Sequence, residues 1–159
     1  MPSISIEYVI LIPLLFSQVI VFPFVASTMT SSWQDSQRDV ALQEVANHLA
    51  STIQQLYLTV NRDEILAGNI TQSSMLPVTV ASYPYNVNAS LSDPSDGSAK
   101  VLTVILTLDE LGNMVTAATV LGSNVGDWDT PTLRSNSAHA SIHVNKSEDN
   151  VISFSFGAD

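Results

Sequence analysis

The sequence predicts an α+β chain: a long hydrophobic N-terminal α-helix followed by a head domain rich in antiparallel β-sheet. Three observations carry that reading. Residues 8–26 form an uncharged apolar run, residues 42–60 place apolar side chains three and four apart, and beyond Gly68 the pattern switches to alternation. A helix followed only by strands is the order of an α+β fold. The division falls at residue 60, with a helix over 1–60 and a β-rich head over 61–159.

The first stretch reads YVILIPLLFSQVIVFPFVA, with Ser17 and Gln18 as its clearly polar interruptions. A helix of about 20 such residues spans the roughly 30 Å hydrocarbon core of a bilayer. Pro13 and Pro23 each remove a backbone donor and predict local bends, which membrane helices tolerate. No Lys or Arg precedes the run, so the basic-first pattern of an ordinary cleaved signal fits it poorly. A helix apolar on every face needs a large core around it in water, and 159 residues are too few to enclose one of this length.

Residues 33–60 contain neither Pro nor Gly, and Leu42, Val45, Leu49, Ile53, Leu56 and Val60 make one stripe of an amphipathic helix. Asp39, Gln43, Asn47 and Gln54 occupy the opposite face and suit solvent. The hydroxyls of residues 30–32 predict a loosened turn, because Ser and Thr compete for backbone hydrogen bonds. The segment NRDEILAG, 61–68, mixes turn formers with glycine and predicts the end of the helix.

In the head, VLTVILTL at 101–108 alternates as a central strand does, and DELGN at 109–113 predicts a hairpin into a second strand ending near Leu121. A further hairpin pairs 138–145 with 151–156 around SEDN, with Ile152, Phe154 and Phe156 on one face. Segments 75–81 and 85–91 are further strand candidates. The stripe over 42–60 is the expected cover for the apolar face of the sheet.

Composition narrows the chemistry. A formal net charge of -10 with five basic residues leaves no positive surface for phosphates, so nucleic acid and anionic lipid headgroups are poor partners. Cysteine is absent, which removes disulfides, thiolate metal sites and cysteine nucleophiles. Charged residues make up 13% of the chain, a surface suited to packing against copies of itself or to a covering of sugar. No phosphate loop, dinucleotide fingerprint, nucleophile elbow or metalloprotease motif is present. The reading is therefore of a non-catalytic chain without cofactor or metal.

His139 and His143 stand about 13 Å apart along a strand, too far for a shared metal. Asp93 and Asp96 in DPSDG, and Asp127 and Asp129 in GDWDT, lack the oxygen spacing of a calcium loop and read as turn residues. Three sequons, beginning at Asn69, Asn88 and Asn145, fit the N-glycosylation rule and are expected on turns or strand ends. Glu7, just before the apolar run, has two readings. It is a carboxylate favoured by the helix dipole, or one that pairs with a neighbouring subunit's terminal ammonium and sets register in a helix bundle.

Residues 3–26, SISIEYVILIPLLFSQVIVFPFVA, resemble the N-terminus of archaeal type IV pilins and related filament proteins, in which a Glu precedes an unbroken apolar helix and a β-rich head follows. The resemblance implies cleavage by a dedicated signal peptidase, storage in the membrane, and assembly by a pilus machinery into an extracellular, cell-surface homopolymer with helices bundled in its core. With Ser3 as the first residue after cleavage, Glu7 stands fifth, a position this family favours. Leu11, Leu14, Leu15, Phe16, Val19, Phe22 and Phe24 are the expected core residues. The implied partners are identical subunits, the membrane before assembly, the signal peptidase and the assembly machinery, and the implied role is adhesion or surface contact. The alternative is a membrane-anchored exterior binding domain that never polymerises.

Overall fold

The computed structural model describes residues 3–73, 76–92, 97–137 and 140–157, with side chains from Val9 onward. The expectations at Asp93, Asp96 and His139, and those on the side chain of Glu7, lie outside the described residues. One helix, α1, runs over Ser3–Val60 and contains Pro13 and Pro23. Among the described residues eight strands follow it: β1 Gly68–Ser73, β2 Tyr85–Leu91, β3 Val101–Leu108, β4 Met114–Val120, β5 Val125–Trp128, β6 Thr132–Arg134, β7 Ser141–Lys146 and β8 Ile152–Gly157. The α+β class and the order of a long helix followed by a β head are as the sequence predicts. By contacts the chain forms two compact units, Met1–Gln37 and Arg38–Asp159.

Within the first unit the hydroxyl-rich turns stay helical. Thr28 Oγ1 donates to Phe24 O at 2.7 Å, Thr30 Oγ1 to Ala26 O at 2.9 Å and Ser31 Oγ to Ser27 O at 3.0 Å. The expected loosening at 30–32 does not occur: the hydroxyls of Thr30 and Ser31 share carbonyls of the preceding turn instead of withdrawing a backbone group from the helix.

In the second unit the strands make two four-stranded sheets, ordered β1-β7-β8-β5 and β4-β3-β2-β6. Six of these strands pair only antiparallel; β8 pairs antiparallel with β7 and parallel with β5, a contact whose register shifts between Val125 and Trp128. The sequence suggests one sheet; the structure has two. The segment after β5 links them, since Thr130 O accepts from Phe156 N at 3.1 Å and Pro131 O accepts from Ala89 N at 2.8 Å.

Both expected hairpins form. Leu108 N donates to Asn113 O at 2.9 Å across the β3–β4 turn, where Gly112 adopts φ +74, a left-handed conformation that a Cβ would penalise. The β7–β8 pair aligns Val144 with Phe154, and Ile152, Phe154 and Phe156 all point into the core. The strand expected over 75–81 is absent in its described part, where Val80 makes one isolated bridge to Tyr83. Its place is taken by β1, which begins at Gly68. That glycine is read from the sequence as a stop signal, but the turn is completed earlier, at 61–64.

The distal part of α1 and both sheets share one core. Leu42, Ala46, Leu49, Ala50, Ile53, Tyr57 and Val60 are buried in it, whereas Val45 and Leu56 lie at its margin. Ala46 and Ala50 are buried in this core as well, although a stripe of large apolar residues does not register them. The polar flank is not wholly solvated. Asp39 Oδ1 accepts from Asn113 Nδ2 at 2.7 Å, and Gln43 Nε2 donates to Thr116 O on β4 at 3.1 Å.

At the end of α1, Tyr57 Oη donates to Asn124 Oδ1 at 2.9 Å, and Asn124 Nδ2 donates to Asn61 Oδ1 at 2.7 Å. A side chain at Gly122 would collide with the Tyr57 hydroxyl. Lys146 is only 4% exposed, and its Nζ donates to Val60 O at 3.1 Å and Arg62 O at 3.0 Å. The last carbonyls of a helix lack internal partners and carry partial negative charge, so a buried ammonium there is well placed. Lys146→Met is expected to destabilise the head by about 1–3 kcal/mol, the cost of leaving such acceptors unpaired. Denaturant unfolding of the full chain in detergent measures it, and an unchanged midpoint would refute this anchoring role.

Tyr85 is fully buried, and its hydroxyl donates to Pro77 O at 2.8 Å. Ser135 Oγ accepts from Tyr85 N at 2.9 Å and donates to Val78 O at 2.7 Å, which pins the loop before β2. Burial pushes the Tyr85 phenol up from 10.0 to about 12. A phenol held protonated in the fold contributes stability that is complete below pH 10 and lost as pH rises towards 12. Loss on the order of 2 kcal/mol is expected across that window. Tyr85→Phe should flatten the pH dependence of unfolding between pH 9 and 11.5; an equally steep dependence in the variant would assign it elsewhere.

Candidate membrane and assembly surface

The apolar run becomes a helix whose side chains are uncovered all the way round. Its most apolar 18-residue window has a mean hydropathy of 2.5, and none of that window is buried. The helix from Val9 is therefore long and apolar enough to cross a membrane and is compatible with insertion into one. Exposure ranges from 49% at Leu15 to 77% at Phe22 among the seven residues singled out from the sequence, Leu11, Leu14, Leu15, Phe16, Val19, Phe22 and Phe24.

The same surface takes in Val9, Ile10, Ile12, Ile20, Val21, Val25 and Met29, which the residue-by-residue reading passed over. Uniform hydropathy was the available signal for them, since a helix apolar on all sides has no preferred stripe. Two shallow apolar grooves lie on this helix. One, of about 560 Å³, is lined by Leu15, Gln18, Val19, Phe22 and Pro23; the other, of about 290 Å³, by Ile12, Leu15, Phe16 and Val19. Leu15 and Val19 border both. Knob-sized hollows on an apolar helix are what the side chains of a second helix fill when packing replaces lipid.

The back-bonded hydroxyls of Thr28, Thr30 and Ser31 follow directly. A hydroxyl satisfied by its own helix carries little penalty next to hydrocarbon. The apolar surface thus ends in a turn where the hydroxyls of Thr28, Thr30 and Ser31 are satisfied within the helix.

The remaining candidates lie in the head. Asn69, Asn88 and Asn145 are all exposed; Asn69 and Asn145 lie next to the ends of β1 and β7, as expected, whereas Asn88 is in the middle of β2 rather than on a turn or strand end. Asn69 is the direct cross-strand partner of Asn145. His143 lies on the outward face of β7, its Nδ1 2.8 Å from Thr71 Oγ1 and its Nε2 3.1 Å from Ser141 Oγ. Asp127 belongs to β5 and Asp129 follows it, with Asp129 N donating to Phe154 O at 3.1 Å. Among the described residues, no three His, Asp or Glu side chains are grouped so as to hold a metal ion.

Comparison with protein-family models, with curated proteins and with solved structures yields no match to this chain. What defines its class is the molecule itself: an α+β chain with a membrane-compatible apolar helix and a two-sheet head.

Proposed function

We propose that this chain is the structural subunit of an extracellular, type IV pilin-like filament. The observation that carries the reading is the uncovered apolar surface of α1 over residues 9–29. Water penalises such a surface at roughly 25 cal/mol per Å², so it requires lipid or other protein around it. A bilayer covers it in the unassembled subunit, and the same helices of neighbouring subunits cover it in the fibre. The exchange gains little from hydrophobicity, because lipid is as apolar as Leu, and relies on side-chain packing into hollows such as those beside Leu15 and Val19.

In this reading the head is a stable exterior module that coats the fibre and meets surfaces, without catalysis or cofactor. Cleavage by a signal peptidase and assembly by a dedicated machinery are part of the same proposal, as is pairing of Glu7 with the terminal ammonium of a neighbour. Fibres sheared from the producing cells and imaged at side-chain resolution test it. The expected result is a uniform helical polymer of this chain with residues 9–25 in its axial core. Recovery only by detergent, as a monomer, with no fibre at the surface, would instead favour a membrane-anchored exterior domain.

A further inference from the structure

The segment GDWDT, 126–130, borders an open groove of about 380 Å³ where β5 of the first sheet meets the end of β2 in the second. Trp128 and Pro131 line it together with Ser90, Ser92, Asp127 and Lys100. Its volume falls among the roughly 300–1,000 Å³ of small-molecule sites, whereas the hollow between α1 and β1 beside His48 holds about 110 Å³. The aromatic wall is held in place. Trp128 stacks on Phe154 with planes 12° apart, packs at a tilt on Phe156 with centroids 5.0 Å apart, and donates from Nε1 to Thr130 O at 2.9 Å. Asp129 N donates to Phe154 O and Pro131 O accepts from Ala89 N, so the segment is tied to both sheets. The indole nevertheless stays half-buried, and Asp127 is exposed, its carboxylate without a hydrogen-bond or ion-pair partner among the described residues. A fixed ring beside an unengaged carboxylate needs little ordering when a ligand arrives.

The chemistry of the lining selects among ligands. Phosphates and other strong anions are repelled by Asp127 and by a net charge of -10. A quaternary ammonium suits an indole and a carboxylate, but Lys100 sets a charge of its own sign beside it. A wholly apolar ligand would cover Asp127, Lys100 and two serines and leave their polar atoms without water or partner. A pyranose has a face of C–H groups for the indole and a rim of hydroxyls that both donate and accept, which matches an acid and a base together. We propose that this groove binds one or two pyranose units of a neutral glycan, with a sugar face against Trp128 and sugar hydroxyls bonded to Asp127 and Lys100. The inference gives the surface contact proposed for the head a ligand class. It rests on the exterior location of the head and not on polymerisation.

The chain has two tryptophans, so Trp33→Phe leaves Trp128 as the reporter of its own groove. The full chain carrying that change, in a detergent without a sugar headgroup, is titrated with maltose, cellobiose, lactose and mannobiose. A saturable change in emission is expected with at least one of them in the millimolar range. Asp127→Ala is expected to weaken that binding about tenfold, as loss of a hydrogen bond to a charged group implies, at an unchanged unfolding midpoint, since the carboxylate holds nothing in the fold. No saturable response to any of the four sugars overturns the proposal, and so does an affinity that Asp127→Ala leaves unchanged. A response to choline chloride alone overturns the ligand class. Fibres built of a chain that binds no saccharide would refute this inference while leaving the filament reading intact, and a saccharide-binding chain that never polymerises would do the reverse.

Discussion

Leu15→Asp is expected to abolish fibres while leaving most of the chain in the membrane. Leu15 lines both apolar grooves on α1, so an aspartate there meets whatever covers the helix. In a bilayer the substitution costs about 2.5–3.5 kcal/mol at the centre of a span, which the surrounding Leu, Ile, Val and Phe residues largely offset. In a bundle the same carboxylate recurs in every subunit without a partner, and an uncompensated buried charge costs several kcal/mol each time. The two environments therefore respond differently. Cell fractionation and fibre counts by electron microscopy measure the split, with Leu66→Asp, at a loop residue exposed at 81%, as the matched control. Undiminished fibres in the Leu15 variant would sink the core assignment.

Phe154→Ala should have the largest effect on the head, a loss of about 3–5 kcal/mol. Phe154 is buried in β8 between β7 and β5, and its ring stacks on Trp128 with centroids 5.4 Å apart and planes 12° apart. Removing it opens a cavity beneath the parallel β5–β8 contact, where the register already shifts. Net stabilities of domains are of the order of 5–15 kcal/mol, so the loss is a large fraction of the total. Trp128 fluorescence during denaturant unfolding reports on it, since the change lies against the indole. Ser155→Ala, on the outward side of the same strand, should shift the midpoint by less than about 0.5 kcal/mol. A Phe154 variant as stable as the parent would mean that β5 contributes little to the fold.

Different parts of the molecule were legible in the sequence to different degrees. The apolar run, the stripe over 42–60 and the strands β3, β4, β7 and β8 each follow a periodicity set by backbone geometry, so they could be read locally. Strand β1 could not, because GNITQS is short, polar and exposed at four of its six residues, and it is held as a strand by pairing with β7, far away in the chain. The missing strand over 75–81 is the converse. Its Val and Thr suit a strand, but Pro77 has no N–H for a ladder, Tyr85 and Ser135 hold the carbonyls of Pro77 and Val78, and Val80 bridges to Tyr83.

Lys146 shows the limit most clearly. As a lysine between Asn145 and Ser147 it reads as solvated, and only the meeting of β7 with the end of α1 gives its ammonium a reason to be buried.

Alone, the amino-acid order determined that this chain has one helix too apolar for water and a β-rich remainder, because hydropathy and side-chain period are local properties. Tertiary structure decided that the strands divide into two sheets around residues 42–60 of α1, and that Asn69 faces Asn145. It decided, too, which polar groups are sheltered. Those outcomes depend on pairings between residues tens of positions apart, and no local pattern encodes which distant partner completes a strand or a hydrogen bond.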